Sequence, residues 1–148
     1  MDQRRRILFH GFLLLTGSFV LGLVAGKLGG QHDPRARLWM GAHITGIMAG
    51  VMVLAIGMAR PHLDLGPRAS AVFLWALLLA NWLGFAVLGV FNSAIGAGAP
   101  ISAPNLAPAS GWPATVITSA LLLVTALTFV FCGLGLWGLR GRGPRQPL

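Results

Sequence analysis

The chain has 148 residues, of which 55% are hydrophobic and only 9% are charged, and its formal net charge is +8. Charged residues usually make up about 25% of a soluble globular domain, so this composition excludes an ordinary soluble protein. The basic excess would suit a nucleic-acid-binding protein, but the positions of the basic residues give it another explanation.

Four apolar runs follow one another along the chain. They cover residues 7–28, 38–59, 69–91 and 113–139, and each is near or above the roughly 20 residues that a helix needs to cross about 30 Å of hydrocarbon. We therefore predict an all-α fold, an integral membrane four-helix bundle that forms a single domain over residues 1–148. The first run is longer than the roughly 7 to 15 apolar residues of a signal peptide, so we expect a retained helix.

The basic residues are unevenly distributed between the two ends of these runs. If the amino terminus is cytoplasmic, three basic residues lie outside, namely Lys27, Arg35 and Arg37, and the other eight lie inside, namely Arg4, Arg5, Arg6, Arg60, Arg68, Arg140, Arg142 and Arg145. Positive charge concentrates on the cytoplasmic side of membrane proteins. We expect both termini to be cytoplasmic, the protein to lie in the cell (inner) membrane in contact with its lipids, and no nucleic acid to be bound.

Two further patterns concern packing. The predicted outer loop, residues 92–112, is uncharged and rich in Gly, Pro, Ala and Ser, and the sequence leaves open whether it is a lid over the helix ends or a flexible connector. Small residues recur four positions apart in three of the runs: Ser18, Gly22 and Gly26; Ala42, Gly46 and Gly50; Ala76, Ala80 and Gly84. This spacing predicts closely packed helices or oligomerisation.

His43 is the histidine predicted to lie deepest in the membrane. It is five residues beyond Leu38, which places it about 7 to 8 Å below the outer surface of the hydrocarbon. The three carboxylates, Asp2, Asp33 and Asp64, all fall outside the predicted spans, which counts against a proton-coupled exporter. The residues alone leave two interpretations of His43 open, a hydrogen bond between helices and a metal or cofactor ligand.

Several neighbours of His43 have similarly open roles. Gly46 and Gly50 share its helix face and leave room either for a flat cofactor or for another helix. Arg35 and Arg37 would either pair with haem propionates or extend to the interface. In the third run we place Asn81 close to His43 in depth, as an interhelical hydrogen-bonding or substrate-orienting group, and Trp82 as a packing residue or a cofactor wall.

With these residues in view, the chain resembles a family of four-helix membrane isomerases that includes styrene oxide isomerase and hydroxylaminobenzene mutase. The resemblance runs from "RLWMGAHITGIMAG" through "RPHLDL", "LLLANWLGF" and "APNLAPASGWP" to the last helix, while "ANW" and "WGLRG" are more similar to the mutase branch. It implies a homotrimer that binds haem b near its subunit interfaces, with His43 as the axial iron ligand. Gly46, Gly50, Arg35, Arg37 and Trp82 would then line the cofactor.

The resemblance also implies a function. The expected activity is that of a hydroxylaminobenzene mutase, which rearranges an arylhydroxylamine to a 2-aminophenol with ferric haem as the Lewis acid and a small lipophilic aromatic molecule as substrate. The alternatives are an aromatic epoxide isomerase, which converts styrene oxide to phenylacetaldehyde, and a haem-binding or purely structural membrane protein without catalysis.

The chain departs from the epoxide-isomerising branch at two positions. That branch has an asparagine six residues after the ligand histidine and a tyrosine late in the third helix. This chain has Ala49 and Leu88 at those positions, and its sequence contains no tyrosine. Asn81 is therefore our candidate for the catalytic polar group.

Overall fold

The structure is a computed structural model, and it describes residues 2–28, 34–96 and 110–140. Its long helices are α1 (Gln3–Lys27), α2 (Pro34–Ala59), α3 (which begins as Pro67–Leu83 and continues to Ile95) and α4 (Trp112–Leu139). All four are long and apolar enough to cross a membrane, and the described ranges contain no strand. The prediction of an all-α fold with four membrane-spanning helices is confirmed.

Proline marks several of the helix boundaries. A short 3-10 turn, Arg60–His62, follows α2 and has Pro61 within it, while α3 and α4 each have a proline in their first turn, Pro67 and Pro113. Proline is well suited to a first turn because its missing N–H would have no helical partner there. The connection between the end of α2 at Ala59 and the start of α3 at Pro67 is therefore short.

The outer end of α3 differs from the sequence prediction. A π-helical segment, Gly84–Phe91, continues the helix, one further α-helical turn follows at Asn92–Ile95, and Gly96 ends it with a φ of 67°. The predicted start of the outer loop at residue 92 is therefore wrong by about one turn, because the left-handed glycine that terminates the helix lies beyond it. Residues 97–109, on which the lid prediction depends, lie outside the described residues.

The helices pack as two pairs joined by the outer half of α3. Helix α1 packs along α2, α3 packs against α4, and the π-helical segment of α3 contacts α2. The α1–α2 seam is close because its glycines take up the space of side chains: a Cβ on Gly11 would lie 2.7 Å from Leu54, and one on Gly50 would lie 2.7 Å from Leu15. The small-residue pattern therefore produces helix contact within the chain, as expected for membrane helices.

Large apolar side chains cover the outside of the bundle. Phe129 is 74% exposed and Trp137 is 70% exposed, both on α4, where only 11% of the most apolar window is buried. An apolar surface of this kind is stable in lipid and not in water. Together with the four spans, it defines a multi-pass membrane protein.

Candidate functional site

His43 lies on the face of α2 that contacts α1. Its Nδ1 is 2.6 Å from the backbone carbonyl oxygen of Ser18, and its ring centroid is 6.2 Å from that of Phe19. Gly22 lies directly against the ring, since a Cβ at that position would be 2.8 Å from Cε1 and 2.9 Å from Nδ1. The imidazole therefore packs directly against the backbone of α1 at Gly22, and any side chain at that position would collide with the ring.

The contact with Ser18 defines the tautomer of the imidazole. A carbonyl oxygen can only accept a hydrogen bond, so Nδ1 carries the proton and donates it, and Nε2 of the neutral ring keeps a free lone pair. Among the described residues, none forms a hydrogen bond with Nε2, and the side chain remains only half-buried. A histidine that binds a metal through one nitrogen commonly donates its other N–H to a backbone carbonyl, which is the arrangement of His43.

The two glycines on His43's own helix have other neighbours. A Cβ on Gly46 would collide with the hydroxyl oxygen of Ser18 and would lie 2.7 Å from the ring of Phe85, while Gly50 faces Leu15. Within this chain, the space beside Gly46 and Gly50 is therefore filled by side chains of neighbouring helices. The glycine that makes room for His43 is Gly22 on α1, and contact of Gly46 or Gly50 with a cofactor stays a prediction.

Asn81 lies deeper in the bundle than His43. Gly89 gives the register between α3 and α2, because its Cβ would be 3.4 Å from the Cβ of Ala42. Asn81 is eight residues before Gly89 and His43 is one residue after Ala42, so the two differ by seven residues, or roughly 10 Å, along the bundle. The predicted similarity in depth is wrong, because α3 extends further outward than its apolar run indicates.

The hydrogen bonding of Asn81 is local. The side chain is 5% exposed, and its Nδ2 donates to the carbonyl oxygen of Leu77 at 2.8 Å, within the same helix. Its assignment as the catalytic polar group stays a prediction, and the structure does not bring it to the imidazole of His43.

Trp82 pairs with a different histidine. Its Nε1 donates to Nδ1 of His10 on α1 at 3.2 Å, and its ring meets that of Phe85 edge to face at 6.1 Å. Phe85 in turn packs against Gly46, so one ring separates Trp82 from the seam that holds His43. Direct contact of Trp82 with a cofactor on His43 stays a prediction.

The two outer arginines are placed only in part. Both belong to α2, but the side chain of Arg35 lies outside the described residues. Arg37 is exposed and lies six residues before His43, or about 9 Å along the helix axis. Pairing of either guanidinium with a propionate stays a prediction.

The donor set restricts the kind of metal site that these residues can form. The described part of the chain holds no group of three or more His, Cys, Asp or Glu side chains that could bind a metal ion together. A lone imidazole does not hold a bare ion well, whereas a haem macrocycle supplies four of its own nitrogen ligands and needs one axial donor from the protein. His43 fits that requirement.

Comparisons with known proteins show which family the chain belongs to. The styrene oxide isomerase family model matches residues 3–140. The chain is 35% identical over 146 residues to hydroxylaminobenzene mutase HabB of Ectopseudomonas oleovorans, an alignment that covers 96% of this chain and 84% of that protein. No solved structure matches the chain. The chain therefore belongs to the styrene oxide isomerase family and is an isomerase, which confirms the resemblance drawn from the sequence.

Sequence reasoning missed three features around His43. The first is the carbonyl of Ser18, which carries no sequence signal because every residue has a carbonyl. The second is the role of Gly22, which the small-residue pattern located but did not connect to the histidine. The third is the π-helical segment Gly84–Phe91, whose type is associated with functional sites and for which the two glycines at 84 and 89 are the available signal.

Proposed function

We propose that this isomerase is haem-dependent and rearranges arylhydroxylamines to 2-aminophenols, with Nε2 of His43 as the axial iron ligand. The observation that carries the proposal is the hydrogen bond from Nδ1 of His43 to the carbonyl of Ser18, which leaves Nε2 unprotonated. The 35% sequence identity to a hydroxylaminobenzene mutase supports this reaction. Substrate and product are isomers, so no oxidant, reductant or second substrate is required.

The residues of this chain would contribute orientation and exclusion of water. The α1 patch of Ser18, Phe19 and Gly22 holds the imidazole plane, so its remaining nitrogen points in one direction. When bound, ferric haem would supply a Lewis acid that withdraws electron density from the oxygen or nitrogen of the substrate. Apolar side chains around it would keep water away from the reactive intermediate.

We further propose that the haem site is completed by a second copy of the chain, in a homotrimer. His43 is half-buried on the α1–α2 seam. The space beside Gly46 and Gly50 in that seam is filled by Ser18, Leu15 and Phe85 of the same chain. A macrocycle on Nε2 would therefore extend beyond this chain, where a neighbouring apolar surface would cover it. The substrate would be a small aromatic molecule that partitions into lipid.

The mutase reaction is favoured over epoxide isomerisation by two positions. Leu88 is one residue before Gly89 and therefore lies near the depth of His43, and Ala49 is buried. Both are apolar where the epoxide-isomerising branch has a tyrosine and an asparagine. An epoxide oxygen would find no hydroxyl or amide from these positions.

The test is to purify the protein, load it with haem and supply hydroxylaminobenzene. We expect 2-aminophenol as the product and no conversion of styrene oxide to phenylacetaldehyde. His43→Ala should lose both the haem absorption band and the activity, while His62→Ala, in the exposed turn after α2, should keep both. Fully haem-loaded protein that forms no aminophenol would refute the reaction, and an unchanged haem spectrum in His43→Ala would refute the ligand.

A further inference from the structure

A cavity lies on the side of α1 away from His43. It has a volume of about 490 Å³ and runs between α1 and α3, two helices that contact each other only lightly. Its lining includes Arg6, Phe9 and His10 from α1 and Trp75, Leu78 and Trp82 from α3. We call it the α1–α3 groove. Its volume is within the range of about 300 to 1,000 Å³ typical of sites for small molecules.

The α1–α3 groove changes in chemistry along its length. Arg6, near the amino-terminal end of α1, is exposed, and the hydrogen bonds described at this end engage the guanidinium of Arg60 and not that of Arg6. His10 follows one turn deeper, about 6 Å along the axis. Apolar side chains line the walls between these two residues, where Phe9 and Trp75 are 57% and 59% exposed, and Leu79 and Trp82 continue the apolar wall further along α3.

His10 presents a hydrogen-bond donor in this groove. Because Nε1 of Trp82 donates to Nδ1 of His10, Nδ1 is the acceptor and the neutral ring carries its proton on Nε2. Hydrocarbon offers no acceptor for that N–H, so an unpaired donor at this depth is costly. The groove therefore combines a cation at its mouth, a donor one turn below and apolar walls.

We propose that the α1–α3 groove binds one anionic phospholipid from the leaflet next to the amino terminus. The headgroup phosphate would pair with Arg6, an ester carbonyl would accept from Nε2 of His10, and an acyl chain would lie along Leu79 and Trp82, further along α3. The interfacial zone of a bilayer is about 5 to 7 Å thick on each side, which matches the rise of about 6 Å from Arg6 to His10. An uncharged aromatic molecule would leave Arg6 without a partner. This proposal does not depend on the haem or on the reaction.

The test compares lipid binding by two arginine variants. The full-length protein in mild detergent is mixed with equal amounts of phosphatidylglycerol and phosphatidylcholine, and bound lipid is counted by native mass spectrometry. We expect one phosphatidylglycerol to be retained in preference, and Arg6→Gln to weaken its binding about fivefold, the effect of one basic residue at an anionic membrane surface. Arg5→Gln removes the same charge from an exposed position outside the groove lining. It should change binding by about twofold at most, because salt and solvent screen a charge that makes no direct contact with the headgroup.

A charge-conserving variant distinguishes a loss of lipid binding from a loss of folding. Arg6→Lys should retain phosphatidylglycerol, and thermal unfolding should show that all three variants fold. Equal retention of the two lipids by the unchanged protein, or equal losses in Arg6→Gln and Arg5→Gln, would overturn the proposal. Displacement of phosphatidylglycerol by uncharged aniline would also overturn it and would identify the groove as a site for aromatic molecules.

Discussion

Replacing Gly22 by alanine tests the link between helix packing and the imidazole of His43. The added Cβ would lie 2.8 Å from Cε1 of His43, whereas ordinary van der Waals contacts begin near 3.4 Å. The ring must therefore retreat by the difference, 3.4 − 2.8, about 0.6 Å, away from α1. That movement also stretches the hydrogen bond from Nδ1 to the carbonyl oxygen of Ser18 from 2.6 Å to as much as 2.6 + 0.6, about 3.2 Å, since both contacts are made with the same helix.

The size of the effect follows from these two contacts. Overpacking of this kind usually costs about 1 to 3 kcal/mol, and stretching the hydrogen bond costs part of the roughly 0.5 to 1.5 kcal/mol that such a bond contributes. A ligand histidine that loses the partner of its second nitrogen typically binds its metal about 10- to 100-fold more weakly. Because the bond is weakened and not lost, we expect Gly22→Ala to bind haem about tenfold more weakly, the lower end of that range, and to unfold at a lower temperature.

The assay is a haem titration followed at the Soret band, with thermal unfolding of the haem-free protein as the second readout. Gly26→Ala is the matched control, because it makes the same change one turn along α1, where nothing lies within 4 Å of the new Cβ. Equal haem affinities in the two variants would refute the reasoning. A loss of stability in Gly22→Ala without any loss of haem affinity would show that the contact of Gly22 with the imidazole does not govern haem binding.

Three further substitutions separate the contacts of the bundle. Ser18→Ala should leave haem affinity unchanged in the Soret titration, because His43 uses the backbone carbonyl while the hydroxyl bonds to Leu14; a tenfold loss would contradict this. Gly46→Ala should destabilise the protein by about 1 to 3 kcal/mol in equilibrium unfolding, since its Cβ would meet Ser18 and Phe85, whereas Gly41→Ala, with nothing within 4 Å, should not. Arg60→Gln should lower the thermal midpoint because its guanidinium bonds to Gln3, Leu63 and Ser70, and an equal loss in exposed Arg68→Gln would argue against that network.

The features that sequence predicted well are those that depend on one helix at a time. Length and apolarity are properties of single segments, so the four spans were predictable from composition and hydrocarbon thickness. The small residues also identified the close seam between α1 and α2, since Ser18, Gly46 and Gly50 are buried there. His43 stood out because a polar group in an apolar run needs a partner.

The features that sequence missed depend on the register between helices. His10 and Trp82 are 72 residues apart, and no local pattern pairs them. The depth of Asn81 was misjudged because the π-helical segment and the added turn extend α3 outward to Ile95. A shift of one turn between α1 and α2 would bring Ser18 or Gly26, and not Gly22, against the imidazole, and no local pattern fixes that register.

One seam between α1 and α2 thus serves both stability and the proposed ligand, but at different heights. Gly11 is seven residues from Ser18 and Gly50 is seven residues from His43, or about two turns in each case, and both meet leucines, so substitutions there should affect stability alone. Gly22 meets the imidazole itself, so a substitution there should affect both stability and haem binding. The Ser18 hydroxyl makes only an intrahelical bond, so its loss should leave the ligand geometry unchanged. A protein in which these positions behaved alike would have a seam that packs helices and holds no ligand.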